Sequence, residues 1–579
     1  MRGLRRGRVP AQGNGAVRRH DLLSRLLAPF VSLAILAGLL LLAAAPVTGP
    51  AGEAPATTAT SRDASDPLEG EDGEDGEEGG DRPSTTKVSF QGPVDPEPAA
   101  LAAFYGKPVR WQSCRDHSDP ALFDCGTVRV PVDYGTPAGA VTTIALKRLR
   151  AASPEKRIGS LFINPGGPGG SGIDFADEAP DFFGDDVLDR YDVVGFDPRG
   201  MGESDPVECF TDAELDAMYA ADPTPDTDAE KAAARLAPAQ QMRRCLARGG
   251  ALAAHMGTEA VARDLDVLRS AVGDERLNYY GVSYGTMIGA IYADFFTSRV
   301  GLMVLDSAVL PDALVGEAPT QDEIDDEADS WASDFEDVLG EFVDECGSSI
   351  ECPLGADVEA VTNKLVAFLD RLDQHPLETG YDSLPRLTEG WASTAIGWGL
   401  QEPDSWPDLV DALDLAVNED DAEDLARFAM RVTERDENGT YAATTFGRSH
   451  LLVTCADWPR TPWDSTGPSP DVLDAHPLWS RVEPPGVDPC TGWTGAARET
   501  LLVGAEVATP VLVIGNDGDR TTPMEGTEGL AAEIVRSRLV TVEAEGHGAY
   551  GNGDDCADGI VDDYLARHLA PENDFICES

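Results

Sequence analysis

Lysine is scarce in this chain: six of 579 residues, so the 44 basic side chains are almost all arginine. Bases of either kind are few beside 103 acids, and the formal charge is -59. A surface with that balance repels phosphate, which argues strongly against nucleic acid as the partner. Histidine is also sparse, with eight residues, so a site that needs an imidazole has few candidates. No CxxC occurs, which argues against a zinc site, and no metal is expected. No GK[ST] follows a glycine run, which argues against a phosphate-binding loop. There is no internal repeat. What remains is a globular composition, 42% hydrophobic and 25% charged, in a chain long enough for one to three domains.

The first 45 residues read as an export signal. Arg2, Arg5, Arg6, Arg8, Arg18, Arg19 and Arg25 precede the apolar run LLAPFVSLAILAGLLLLAAA, residues 26–45. Small residues end the run and favour cleavage; left uncleaved, 26–45 is long enough to anchor the chain in a membrane, its one route to membrane contact. The expected location is secreted or cell-envelope associated, outside the cytoplasm. All ten cysteines follow this segment and fall into sequence neighbours: Cys114 with Cys125, Cys209 with Cys245, Cys346 with Cys352, Cys455 with Cys490, and Cys556 with Cys577. In an exported chain they read as five short-range disulfides.

Residues 46–100 include EGEDGEDGEEGGDRPS, acidic and without apolar side chains, and read as a disordered linker. A core begins near residue 101. GTVRVPVDY and AVTTIALKRLR alternate like antiparallel strands, whereas IGSLFINP and YDVVGFDP are continuous apolar runs, as strands buried on both faces are. TEAVARDLDVLRSAVG has Val261, Leu265 and Leu268 at helical spacing, with Thr258 as the N-cap and Gly273 at the end. LNYYGV, a helix over Tyr284–Phe296, and VGLMVLDS then alternate as strand, helix and strand. This rhythm predicts a mostly parallel sheet with helices on both faces. It breaks over 312–504, which is acidic, Trp-rich and helical in pattern, and resumes with TPVLVIGN and SRLVTVEAEG. The expected division is a core over 101–311, a helical cap over 312–504, and the rest of the core over 505–579.

The chemistry centres on GVSYG. Gly-x-Ser-x-Gly alone is weak, but here it joins a strand to a helix, which is nucleophile-elbow geometry. The turn lifts the Ser283 hydroxyl above the sheet and leaves the Tyr284 N–H at a helix N-terminus, where it can face an oxyanion. A serine nucleophile needs a base and a group that orients the base. His547 in EAEGHGAYG and Asp519 in IGNDGDRTTP each follow a late strand, in the order Ser, Asp, His; Asp517 competes for the acid's place. The glycine loop INPGGPGGSG follows an earlier strand, and the Gly167 N–H is its candidate second oxyanion donor. No cofactor is needed for such chemistry.

NPGGPGGSG, FDPRGMGESDP, YYGVSYGT, NDGDRTTP and GHGAYG occur together and in this order. The set resembles the secreted tripeptidyl aminopeptidase group of actinobacterial α/β-hydrolases, relatives of the prolyl iminopeptidases. WQSC…DCGTVRVPVDY, SWPDLVDALDLAVNEDD and CADWP extend the resemblance over roughly residues 105–570. It implies an α/β-hydrolase fold with a helical cap and a serine exopeptidase releasing short peptides, tripeptides above all, from free N-termini. It also implies Ser283 as nucleophile, His547 as base, and Asp519 rather than Asp517 as acid. Where the related HGGPG loop has His, this chain has Pro165. Asp197 and Arg199 are expected to hold a loop. A free ammonium needs an acidic partner in the cap, for which Asp457 in CADWP is a candidate. A carboxylesterase or lipase on the same three residues is the alternative, and an inactive envelope-associated binding protein a more distant one.

Overall fold

The computed structural model describes residues 82–90, 92–115, 119–309, 320–349, 352–441, 449–457, 467–482, 489–495 and 506–578. The export-like segment and the acidic run EGEDGEDGEEGG lie outside the described residues. Thirteen strands follow in chain order: β1 (Thr85–Lys87), β2 (Phe123–Pro131), β3 (Val141–Leu149), β4 (Gly159–Asn164), β5 (Tyr191–Phe196), β6 (Leu277–Val282), β7 (Val300–Asp306), β8 (Leu377–Glu378), β9 (Arg386–Leu387), β10 (Val511–Gly518), β11 (Ser537–Glu545), β12 (Leu569–Pro571) and β13 (Phe575–Cys577). Nine of them form one sheet in the order β13-β11-β10-β7-β6-β4-β5-β3-β2. Only β2 and β3 run antiparallel to their neighbours; from β5 to β13 every pairing is parallel.

The continuous apolar strands are explained by burial on both faces. Along β4, Leu161 and Ile163 belong to one apolar cluster and Phe162 to the other; along β6, Tyr280 and Val282 oppose Tyr279. Successive side chains point to opposite faces, so a strand covered by helices above and below must be apolar at every position. The Thr258–Val272 and Tyr284–Phe295 helices cover one face. Gly172–Phe182 and Asp555–Arg567 cover the other.

β7 and β10 are sheet neighbours, with Val304 opposite Leu512, although about 200 residues of chain separate them. The described part of that stretch is helical: Gln321–Ser349, Val358–Gln374, Glu389–Leu400, Trp406–Asn418, Glu423–Val432 and shorter helices, with β8 and β9 as a small antiparallel pair. The insertion thus leaves and re-enters the sheet at one place and forms a cap.

Two features depart from the expected divisions. Helices Asp212–Tyr219 and Asp228–Ala253 lie between β5 and the Thr258 helix, yet the first of them packs on the cap. Arg435, its side chain wholly buried, bonds both Asp216 oxygens at 2.7 and 3.1 Å, and Tyr441 donates to the same carboxylate. Tyr219 stacks on Tyr441 and packs at a tilt against Trp391. The cap therefore has an earlier part within 101–311. Part of the expected linker is also ordered: β1 pairs with β12, and the buried Arg299 donates to the carbonyls of Asp95 and Pro96. Backbone pairing and a buried guanidinium place this stretch despite its polar composition.

The five expected cysteine pairs are all bonded. Cys114 is joined to Cys125 and Cys209 to Cys245. Cys346 is joined to Cys352, Cys455 to Cys490 and Cys556 to Cys577, so no cysteine is left free. The bridges tie different layers together. Cys125 lies on β2, and its bridge to Cys114 fastens the segment ahead of the sheet to that edge strand. Cys245 belongs to the Asp228–Ala253 helix and is buried, so its bridge to the buried Cys209 anchors that helix on the loop after β5. Cys352 is buried and fastens the end of the Gln321–Ser349 cap helix, through Cys346, to the chain that leads into the Val358–Gln374 helix. Five such bridges fit a chain folded outside the cytoplasm. Among the described residues no helix is long and apolar enough to cross a membrane.

Candidate active site

Ser283 stands between β6 and the Tyr284–Phe295 helix with φ 57° and ψ -129°, backbone that an L-residue adopts only when its surroundings force it. The surroundings are glycines. A Cβ on Gly281 would meet the Gly285 carbonyl at 2.6 Å, and one on Gly285 the Asn164 carbonyl at 2.8 Å. Gly166, in the left-handed region at φ 100°, lies so close that a Cβ would be 2.9 Å from that of Ser283 and 3.2 Å from the Tyr284 nitrogen. The glycine loop is therefore packed directly on the elbow. The Gly166 N–H is taken by the Asn164 side chain at 3.0 Å, whereas Gly167 makes no such bond among the described residues.

The residues expected as base and acid come from the ends of β11 and β10. His547 Nδ1 lies 2.9 Å from Asp519 Oδ2 and 3.1 Å from Oδ1, and both side chains are buried. Among the described residues His547 Nε2 has no hydrogen-bond partner. Asp519 Oδ1 accepts the N–H groups of Thr521 and Thr522, each at 2.9 Å, and Oδ2 accepts the Thr522 hydroxyl at 2.9 Å. Burial pushes the Asp519 carboxyl up, but the charge and hydrogen bond of His547, the Thr522 amide and the Ser307 hydroxyl outweigh it and hold Asp519 below the ordinary carboxylate range. Asp517 faces elsewhere: its Oδ1 accepts the Ala544 N–H at 3.1 Å.

Two residues at the end of β7 bring these loops together, and the sequence reading passed over both. The Asp306 carbonyl accepts the Ser283 N–H at 2.9 Å, while its buried carboxylate accepts the Ala549 and Tyr550 N–H groups at 2.8 and 3.0 Å. Ser307 accepts the Gly548 N–H at 2.9 Å. Thr522, read only as part of a motif, touches both Asp519 and His547 Nδ1, the latter at 3.2 Å. The available signal was a pair of polar residues ending an otherwise apolar strand.

Asp197 and Arg199 hold loops. Asp197 accepts Ser171 Oγ at 2.7 Å and the Glu203 N–H at 2.7 Å, and burial lifts its carboxyl to about 6. Arg199 grips Asp264 and the carbonyls of Pro131, Val132 and His255. Asp457, the candidate ammonium partner, is buried and already bonded: it accepts the Thr258 N–H at 2.7 Å and the Thr258 hydroxyl at 2.6 Å, and that hydroxyl also contacts the Tyr284 hydroxyl. This corrects the expected N-cap. Gly257 occupies that position and Thr258 opens the helix, because the capping carboxylate arrives from a distant cap segment.

A seven-strand parallel run, a strained serine where β6 meets its helix, and an Asp–His pair on loops after two later strands define one architecture. The family described as alpha/beta hydrolase fold matches residues 159–554. The chain is an α/β-hydrolase. This α/β-hydrolase is 33% identical over 493 residues to the serine protease Hip1 of Mycobacterium tuberculosis (82% of this chain, 91% of that one). It is 32% identical over 505 residues to a tripeptidyl aminopeptidase of Streptomyces lividans (83% and 88%). It is 33% identical over 484 residues to a protein of M. tuberculosis named carboxylesterase B (81% and 89%).

Proposed function

We propose that this α/β-hydrolase is a secreted serine exopeptidase that releases short peptides, tripeptides above all, from free N-termini. The observation that carries the chemistry is the buried His547 Nδ1–Asp519 Oδ2 bond of 2.9 Å, which leaves Nε2 without a partner among the described residues. With Nδ1–H held by Asp519, Nε2 is the basic nitrogen. It takes the Ser283 proton as Ser283 attacks the scissile carbonyl, then returns the proton to the leaving amine; water releases the acyl group. The Gly167 and Tyr284 N–H groups are the proposed oxyanion donors.

Similarity to relatives named serine protease and tripeptidyl aminopeptidase supports peptides as substrates. The cap supports the requirement for a free amine. Its Gln321–Ser349 helix reaches the acid loop, where Glu341 pairs with Arg520, next to Asp519, at 2.6 and 3.2 Å. Asp334 and Asp337 precede Glu341 by about two turns and one turn, so one helix face carries an acidic row beside the site.

The relative named carboxylesterase B supports a second reading, an esterase on the same residues. Hydrolysis of a free tri-alanyl arylamide, its N-blocked form and an arylester separates the two. Turnover of the free tripeptide well above the blocked form is expected; equal turnover of both overturns the aminopeptidase reading, and turnover of the ester alone favours the esterase.

A further inference from the structure

The end of β7 is an unusual place for a buried carboxylate. Asp306 is fully buried, and its carboxylate is met by three neutral donors: Ala549 N–H at 2.8 Å, Tyr550 N–H at 3.0 Å and the Tyr280 hydroxyl at 2.7 Å. Burial raises this carboxyl above the ordinary carboxylate range, and the Ala549 amide, the Tyr280 hydroxyl and the Tyr550 amide pull it only part of the way back. A neutral side chain would join strand to loop at less desolvation cost, so the charge calls for a reason. The loops it joins supply one: its carboxylate holds two amides of the histidine loop while its carbonyl holds the Ser283 N–H.

Ser307, at φ 53°, continues the same joint. Its N–H donates to the Ile514 carbonyl on β10 at 2.8 Å, and its Oγ accepts the Gly548 N–H at 2.9 Å. Three consecutive amides of the histidine loop, Gly548 to Tyr550, are thus fixed by two consecutive residues. Asp306 also holds the Ser283 N–H, and Ser307 holds β10, the strand that leads into Asp519.

We propose that Asp306 and Ser307 are positioning residues that set the register of the nucleophile, base and acid loops against one another. Neither touches substrate. The proposal rests on Ser283, His547 and Asp519 acting as the triad.

The test measures kcat and KM per active site for Asp306→Asn and Ser307→Ala, with sites counted by stoichiometric labelling with a fluorophosphonate. A purely structural role lowers the number of competent sites and leaves the rate at each one unchanged. The expected result is kcat per labelled site about 10–100-fold lower in Asp306→Asn and about 3–30-fold lower in Ser307→Ala, with KM within about threefold of the parent. If Asp306→Asn does not fold, Ser307→Ala decides alone. Parent-like kcat per site in the folded variants overturns the proposal. Failure of the unmodified protein to label or turn over overturns the triad reading instead.

Discussion

Replacing Asp519 by Asn tests the site through one atom. In the parent, Oδ1 accepts two backbone N–H groups, from Thr521 and Thr522, and Oδ2 accepts from Thr522 Oγ1 and lies 2.9 Å from His547 Nδ1. The two amides can only donate, so the Asn carbonyl must take the Oδ1 position and its NH2 the Oδ2 position. That NH2 faces Nδ1 and forces the tautomer in which Nδ1 accepts and Nε2 carries the proton. Nε2 then cannot take the Ser283 proton. The shape is unchanged, so the variant should fold and bind substrate as the parent does. The loss is a chemical one of about 10³–10⁴ in kcat, or roughly 4–5.5 kcal/mol of transition-state stabilisation. Steady-state hydrolysis of tri-alanyl arylamide measures it, with Asp517→Asn as the control that stays within about threefold. A folded Asp519→Asn variant within tenfold of the parent refutes the assignment, and a large loss in Asp517→Asn instead moves the acid to that residue.

Arg199→Met should destabilise the protein by about 3–5 kcal/mol, because Asp264 would keep a buried charge without its cation; thermal melts of both proteins measure this. Glu389 is buried near Asp222 and Asp373, and burial first, with those charges, raises its carboxyl to about 7. Its folded value lies above the unfolded one, so its contribution is full below about pH 4.5 and lost as pH rises through about 7. Glu389→Gln should therefore raise Tm at pH 8 relative to the parent and change it little at pH 4.5. Breaking Cys455–Cys490, which closes a separation of 35 residues, with a double Ser substitution should cost about 3–4 kcal/mol and speed proteolysis of the cap.

The sheet was legible because burial on both faces leaves a signature in every central strand: GSLFIN, YDVVGF and VGLMVLD have no regular polar alternation to misread. The elbow was legible because close backbone approach at 281 and 285 admits only glycine, and His547 stood out as the candidate base because few histidines compete. Contacts between distant segments were not legible. Nothing near Thr258 announces that its amide is capped by Asp457, and nothing in the helices between β5 and Thr258 says that Asp216 meets Arg435. β13 is three residues long and exists through its pairing with β11, which no local pattern encodes. Asp306 and Ser307 were hidden for the same reason: their donors lie on loops about 25 and 240 residues away.

The central claim is that Ser283 is the nucleophile of this hydrolase. Mass spectrometry of the folded protein after fluorophosphonate treatment tests it directly. The account predicts one adduct per chain, carried by the peptide that contains Ser283 and lost when His547 is replaced by Ala. A folded protein that stays unlabelled, or that carries the adduct on another serine, contradicts it.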